Sequence, residues 1–168
     1  MRRDLAVGRW GARFMGRRFP VSVGRTGFAV DKREGDGASP VARLRLLRVF
    51  WRPDRVAPPR ARLARVAIGP RMGWSDDPAD PDYNRLTRLG RGFGAERMRR
   101  ADPLYDLVVE TDWNAACAPG AGSAIFVHVM RGPGRRTAGC AAFRRAHLAW
   151  ILARWRPWSR LAIMGRPC

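Results

Sequence analysis

Residues 122–129, GSAIFVHV, and residues 137–143, TAGCAAF, form the part of the sequence that best indicates the fold. β-branched and aromatic residues dominate the first run, which is typical of a buried strand. Residues 131–136, RGPGRR, carry the glycine and proline of a turn. The region is therefore predicted to run as strand, turn and return, with His128 on the strand and Cys140 after the turn.

Outward from this region, short strands are predicted along much of the chain. Their apolar residues either alternate with polar ones or form short runs between glycine and proline. The predicted strands cover residues 27–30, 44–51, 62–68, 104–111 and 161–164. Residues 144–155 predict an amphipathic helix, because apolar residues recur there at helical spacing.

The predicted order of elements gives a β-rich α+β fold with one helix on the C-terminal side. Residues 69–94 are predicted to be a long loop, and residues 95–101 a short helix. The chain of 168 residues fits a single domain, residues 1–168, which is long enough to bury a core. Its 13 prolines and 18 glycines are scattered, which suits short strands and turns better than a helical bundle.

The chain is strongly basic, with a formal net charge of +19 that comes almost entirely from arginine, since Lys32 is the only lysine. The charge has two interpretations. It serves an anionic partner, such as nucleic acid, an acidic membrane or a polyanionic wall polymer, or it is spread over a solvated surface. The sequence has no run of five or six arginines and no zinc-finger or RNP-like pattern. Nucleic-acid binding is therefore disfavoured, and association with an anionic surface stays open.

The cysteines and the hydrophobic runs exclude several classes of protein. Cys117, Cys140 and Cys168 are odd in number and show no C-x-x-C spacing, so neither a disulfide framework nor a zinc site is indicated. No metal or organic cofactor is implied. No apolar run approaches the roughly 18 residues that a membrane span needs. No signal peptide is visible behind the basic start of the chain.

Cys140 is the one cysteine whose neighbours suggest chemistry. A thiol needs a nearby base to become a nucleophile, and His128 on the preceding strand supplies an imidazole. Gly139 permits unusual backbone geometry and close approach of a substrate. The amides of Gly139 and Cys140 are natural oxyanion donors, and the following helix could stabilise a thiolate through its N-terminus. Spacing alone leaves open a buried structural cysteine and a histidine that never meet.

These residues resemble the active-site signature of the L,D-transpeptidase catalytic-domain family, also called the YkuD domain. That signature is a strand histidine, a variable loop, then Ser or Thr, any residue, Gly and Cys. Here those positions are His128, Thr137, Ala138, Gly139 and Cys140. Further segments are similar to a compact bacterial branch of the family, namely residues 32–40 (KREGDGASP), 73–78 (GWSDDP), 83–85 (YNR), 104–109 (LYDLVV) and 122–126 (GSAIF).

The resemblance implies the family's β-sandwich-like mixed domain, with Cys140 as the nucleophile, His128 as the base and Gly139 beside them. The implied activity is cysteine-dependent acyl transfer on peptidoglycan stem peptides in the periplasm or cell envelope. A backbone carbonyl is expected to orient His128, and carbapenems are expected to acylate Cys140. The candidate substrate-binding residues are Thr137, Ser123, Trp74, Asp77, Tyr83, Asn84, Arg85 and Tyr105.

Two positions depart from the family pattern. Val129 follows the histidine where many members have glycine, and Ala142 stands two positions after the cysteine where many have arginine or asparagine. Three alternatives to the transpeptidase stay open. Transfer to water would make an L,D-carboxypeptidase, another amide would make a different cysteine amidase, and a non-catalytic basic module would bind anionic wall polymer or nucleic acid.

Overall fold

Two five-stranded sheets and a three-stranded sheet carry most of the fold in the computed structural model, which describes residues 4–165. The strands, in chain order, are β1 (Leu5–Gly8), β2 (Gly11–Phe14), β3 (Arg17–Phe19), β4 (Phe28–Ala29), β5 (Ser39–Pro40), β6 (Ala42–Leu44), β7 (Leu46–Trp51), β8 (Ala64–Ala67), β9 (Met72–Ser75), β10 (Leu86–Arg88), β11 (Ala95–Arg97), β12 (Leu107–Thr111), β13 (Phe126–Val129), β14 (Ala141–Phe143) and β15 (Leu161–Ile163). A 3₁₀ turn covers Pro103–Tyr105, and the helix α1 covers Arg145–Arg154.

The first sheet has the strand order β3-β2-β1-β15-β6. Its inner face is apolar because alternate residues point inward: Leu5 and Val7 are buried, whereas Ala6 between them is partly exposed. β1 and β15 pair in parallel, so the two ends of the described chain lie side by side. The first sheet therefore depends on contacts between the most distant parts of the sequence.

The second sheet, with the order β14-β13-β12-β7-β8, has a core on each face. Every residue of β13 is buried. Val127 and Val129 point into the larger core, which also holds the inner face of the first sheet. Phe126 points the other way, into a smaller core with Trp74. Because side chains alternate along a strand, His128 lies on the same face as Phe126.

The predicted helix is confirmed with slightly shorter bounds, as α1. Its buried side chains belong to the larger core. Directly after the helix, Trp155 stacks on Phe14 of β2, with ring centroids 5.7 Å apart. Many strands with a single helix confirm the β-rich α+β fold class. No helix within residues 4–165 is long and apolar enough to cross a membrane.

The predictions of a loop at 69–94 and a helix at 95–101 are wrong. The first segment contains β9 and β10, the second begins with β11, and these strands form the three-stranded sheet with β9 in its centre. Alanine, glutamate, arginine and methionine favour helix locally. However, β11 pairs with β9, and Met98 after it is fully buried, so tertiary pairing overrides local propensity. The predicted strand at 104–111 begins instead with the 3₁₀ turn.

Candidate active site

Cys140 and His128 lie on the same face of the second sheet. β13 and β14 pair in parallel with His128 opposite Ala142. Cys140 comes two residues before Ala142, so the pleat turns both side chains to one side. Both line a cavity of about 400 Å³, a volume typical of small-ligand sites. The two residues that the sequence singles out for chemistry thus share one cavity wall.

Two backbone groups hold the Cys140 side chain. Its Sγ donates to the Ala124 carbonyl at 3.1 Å and accepts from the Phe126 amide at 3.3 Å. Burial raises the pKa of the thiol to about 12; the Phe126 amide and the Lys32 ammonium act against this, and the Glu96 carboxylate acts with it. At neutral pH the group is therefore a protonated thiol that donates its hydrogen to Ala124.

A backbone carbonyl fixes the tautomer of His128. Nδ1 lies 2.8 Å from the Val129 carbonyl oxygen, which can only accept, so Nδ1 carries the proton and Nε2 is left as an acceptor. Burial lowers the pKa of His128 to about 4 despite the opposing effect of this hydrogen bond. The imidazole is therefore a neutral base at neutral pH. Because the Val129 contact is made by the backbone, valine in place of glycine does not remove it.

Gly139 occupies a position that a larger residue does not fit. Its φ is +150°, and a Cβ there would lie 2.8 Å from the Ala38 carbonyl oxygen. Its carbonyl accepts from the Ser39 hydroxyl at 2.7 Å, and its amide donates to Thr137 Oγ1 at 3.2 Å. The Gly139 amide, expected from the sequence to be an oxyanion donor, is thus engaged within the loop. The Cys140 amide is left as the candidate for that role.

Charged side chains line much of the cavity, and most of them were not singled out by the sequence. The acidic ones are Glu34, Asp76 and Glu96. The basic ones are Arg25, Lys32, Arg100, Arg131, Arg135 and Arg136. They come from several separate segments of the chain, so no single motif contains all of them.

Lys32 is the buried cation of this group. Its Nζ donates to Asp36 Oδ1 at 2.6 Å and to the Arg33 carbonyl at 2.5 Å, and only 3% of its side chain is exposed. Its carbon chain lies close to Gly122 and Gly139. In the sequence, this residue opens the segment at 32–40 and is the single lysine among 33 basic residues.

The Glu96 carboxylate, on β11, lines the same cavity as Cys140 and His128 and is hydrogen-bonded there. Glu96 Oε1 accepts from the Tyr105 hydroxyl at 2.7 Å and lies 3.3 Å from Arg100 Nη1. Burial raises the pKa of both Glu96 and Tyr105. The Tyr105 ring also packs edge-on against His128, with centroids 5.5 Å apart. Tyr105 therefore connects the imidazole to the acidic side of the cavity.

The structure brings three of the eight predicted substrate-binding residues to the cavity. These are Ser123, Thr137 and Tyr105. The other five lie outside its lining: Trp74, Asp77, Tyr83, Asn84 and Arg85.

The aromatic members of the outlying group pack under the site. Trp74 meets Phe126 edge-on, with centroids 4.9 Å apart. The Tyr83 hydroxyl donates to Glu34 Oε2 at 2.5 Å, and its ring is buried. These residues support the cavity from behind instead of forming its wall.

The polar members, Asp77 and Arg85, join loops outside the cavity lining. Asp77 Oδ2 accepts from the Gly94 amide at 3.1 Å, and Arg85 Nε donates to Cys117 Sγ at 3.2 Å. Cys117 and Cys140 are free thiols, and Cys117 lies outside the cavity lining. Cys168 lies outside the described residues.

Asn84 connects the β9–β10 region to Cys140. Its Oδ1 accepts from Trp74 Nε1 and from the Ala124 amide, both at 3.0 Å, and its Nδ2 donates to two consecutive backbone carbonyls, also at 3.0 Å. Ala124 has a φ of +49°, and its carbonyl accepts from the Cys140 thiol. One buried side-chain amide therefore holds Ala124, the residue whose carbonyl holds the sulfur.

The helix N-terminus does not lie at the sulfur, contrary to the sequence-based expectation. Four residues, 141–144, separate Cys140 from α1, and the three that form β14 alone span about 10 Å. In addition, α1 packs on the larger core, whereas Cys140 belongs to the smaller one. Within residues 4–165, no group of three His, Cys, Asp or Glu side chains is arranged to hold a metal ion.

The comparison with protein families gives a match over most of the chain. The model of the YkuD family, described as L,D-transpeptidase catalytic domain, matches residues 12–163, nearly the whole chain. The matched range includes every residue that lines the cavity. Comparisons with curated proteins and with solved structures give no match.

Proposed function

Because the chain belongs to the L,D-transpeptidase catalytic domain family, we propose that it catalyses cysteine-dependent acyl transfer on peptidoglycan stem peptides in the cell envelope. Peptidoglycan is the substrate on which this family acts. The observation that carries the proposal is the cavity wall shared by Cys140 and His128, with Nε2 left as a proton acceptor. The proposal treats residues 1–168 as one catalytic domain and uses no metal or organic cofactor.

The first half-reaction forms a thioester. A donor stem peptide binds with the carbonyl at the L-centre of its diamino acid, before the terminal D-Ala, next to the Cys140 sulfur. The S–H bond turns from the Ala124 carbonyl to Nε2 of His128, which takes the proton as the C–S bond forms. The Cys140 amide stabilises the oxyanion. As the C–N bond breaks, the departing D-Ala amine takes the proton from the imidazolium.

The second half-reaction transfers the acyl group. A neutral amine of a second stem peptide attacks the thioester carbonyl and passes a proton to His128 as the new C–N bond forms. The C–S bond then breaks, and the imidazolium returns the proton to the Cys140 sulfur. The products are a cross-link and a regenerated thiol. Attack by water in the same step would release a free carboxylate instead.

The charges of the cavity suit this substrate class. Stem peptides carry both carboxylates and amines, and the cavity offers partners for both. Arg131, Arg135 and Arg136 precede the nucleophile and suit carboxylates, whereas Asp76 and Glu96 suit an ammonium group. Peptides of mixed charge therefore fit the cavity better than apolar amides.

The test is product analysis with purified disaccharide–tetrapeptide fragments of peptidoglycan. We expect mass spectrometry to show dimers that have lost one D-Ala, formed by the wild type and by Cys117→Ser but not by Cys140→Ala. Cys117→Ser is the matched control because it removes the other described thiol and leaves the cavity intact.

Each alternative gives a different product. Monomers that have lost D-Ala, without dimers, would identify an L,D-carboxypeptidase. Product formation by Cys140→Ala would rule out the proposed nucleophile. No product from folded wild type, together with a steep salt dependence of polyanion binding, would favour the basic binding module.

A further inference from the structure

The outer face of the first sheet carries a row of arginine and alanine across all five strands. The register places Arg18 opposite Arg13, Arg13 opposite Ala6, Ala6 opposite Ala162, and Ala162 opposite Arg43. The three arginines are exposed. Arginines therefore border a floor of small side chains, and none of these five residues lines the catalytic cavity.

A second cavity lies at one end of this row. It has a volume of about 320 Å³ and lies between Trp10, Arg13 and Arg18; we call it the Trp10 pocket. Trp10 is 78% exposed, which is unusual for so large an apolar side chain. The Arg9 guanidinium carbon lies 5.2 Å from the centre of its ring. The pocket thus combines a flat aromatic surface with two cations.

The charge of the Trp10 pocket has no counterion among the described residues. Neither Arg13 nor Arg18 forms a salt bridge within residues 4–165. Asp4, which precedes β1, is paired with Arg43. Like charges directly opposite each other destabilise a sheet, and an anion bound between the two arginines would relieve that repulsion.

We propose that the Trp10 pocket binds a stem-peptide carboxylate of peptidoglycan together with a neighbouring sugar ring, so that the protein holds its polymer at a second site. Two guanidiniums bind a carboxylate through charge-assisted hydrogen bonds, and the indole offers a flat face for the C–H side of a sugar ring. The inference rests on the proposed function, which makes a glycan that carries acidic stem peptides the substrate. Engagement at two sites raises the effective concentration of stem peptides at the cavity.

Other anionic partners fit this surface less well. A lipid surface favours a continuous apolar face rich in large side chains, whereas here one indole stands beside a pocket and a floor of alanine. A nucleic acid is held by a series of phosphate contacts, whereas among residues 4–165 only Arg13 and Arg18 line the pocket as cations. Both partners are tested below.

The experiment is co-sedimentation with purified peptidoglycan sacculi in a Cys140→Ala background, so that bound polymer is not turned over. We compare Arg13→Glu/Arg18→Glu with Arg62→Glu/Arg65→Glu, which makes the same change in net charge at two exposed arginines outside the first sheet. We expect the first pair to weaken binding at least about tenfold, because charge-assisted hydrogen bonds become repulsion. The control pair should bind sacculi about as tightly as the Cys140→Ala protein does.

A second variant tests the aromatic part of the pocket. Trp10→Ala should weaken binding even at high salt, since stacking on the indole is not screened by ions. Phe93→Ala, which also removes an exposed aromatic ring, is its control.

Equal losses from the two charge pairs, or no loss from either, would overturn the proposal in favour of diffuse attraction. Tighter binding to anionic vesicles or to an oligonucleotide than to sacculi, with the same dependence on Arg13 and Arg18, would also overturn it. Failure of the proposed function is distinguishable, because turnover of soluble fragments by the wild type is scored separately and sedimentation does not need Cys140.

Discussion

The Cys140–His128 pair is neutral in the unliganded protein. Burial raises the thiol pKa to about 12 and lowers the imidazole pKa to about 4. A thiolate–imidazolium ion pair would need these values in the opposite order. The thiol also donates to Ala124 and not to the imidazole. In the proposed reaction, proton transfer is therefore coupled to substrate attack, and the free protein holds little reactive thiolate.

This state predicts the pH dependence of alkylation at Cys140. Below its pKa the thiolate fraction rises tenfold per pH unit, so the iodoacetamide rate should climb steadily from about pH 7 to about pH 10 without a plateau. Mass spectrometry of the alkylated peptide separates Cys140 from Cys117. A plateau between about pH 6 and pH 8 would show a thiolate–imidazolium pair and contradict the neutral resting state.

A second prediction at this scale concerns Asn84, which holds the Ala124 peptide. Asn84→Gly keeps a residue suited to the φ of +56° but removes the amide, so the sulfur loses its support. We expect acylation of Cys140 by a carbapenem, followed by the intact mass of the protein, to slow by about 10- to 100-fold. Small misplacements of reacting groups are costly.

Asn114→Gly is the matched control for Asn84→Gly. Asn114 also has a positive φ, and its side chain also bonds backbone groups, but those groups belong to Ala118 and Gly122 and not to Ala124. Its acylation rate should stay near that of the wild type. Equal slowing in the two variants would show that general loop stability, and not support of the sulfur, is responsible.

At the scale of elements, the strand pair β13–β14 and the turn between them form the site. The strand before the turn and the helix after it are predictable from the sequence, because each has a strong apolar pattern of its own. The sheet at 72–97 is not, because its strands are stabilised by pairing with each other and with buried neighbours instead of by local preference. This is why residues 95–97 form a strand where the sequence predicts a helix.

The turn depends on Gly139 more than on its other glycines. Gly139→Ala should lower the free energy of unfolding by about 3 kcal/mol or more and abolish acylation, because strained φ and a clash with the Ala38 carbonyl act together. Gly134→Ala is the control: its φ is +72°, but a Cβ there meets nothing within 4 Å. The Gly134→Ala variant should lose about 1 kcal/mol of unfolding free energy and keep its acylation activity. Similar losses in both variants, measured by urea unfolding, would contradict the steric role.

At the scale of the whole molecule, the site is assembled from distant segments. Cys140, His128 and Gly139 are recognisable because they lie within one motif. Lys32 and Glu96 line the same cavity, although they precede Cys140 by 108 and 44 residues in the sequence. Contacts over such separations depend on sheet topology, which no local pattern encodes. For the same reason, five of the eight predicted substrate-binding residues lie outside the lining of the cavity.

Burial of a neutral histidine couples stability to pH. The folded-state pKa of His128, about 4, lies below its ordinary value of 6.5, so the unfolded chain binds the proton first. The contribution of the neutral ring to the free energy of unfolding is fully present above about pH 6.5 and is lost as the pH falls toward 4. The full contribution is about 3 kcal/mol. His128→Gln should remove that share of the pH dependence. Urea unfolding of both proteins across this window measures it, and parallel curves would contradict the burial of a neutral ring.

The claim that Cys140 accepts the acyl group with His128 as its base is tested most directly by the intact mass of the protein after exposure to a carbapenem. We predict one adduct per chain, located on Cys140, absent from Cys140→Ala and formed about 10²- to 10⁴-fold more slowly by His128→Ala, the usual loss when a general base is removed. An adduct on Cys117, or a folded wild-type protein that gains no mass at any exposure, would contradict the account.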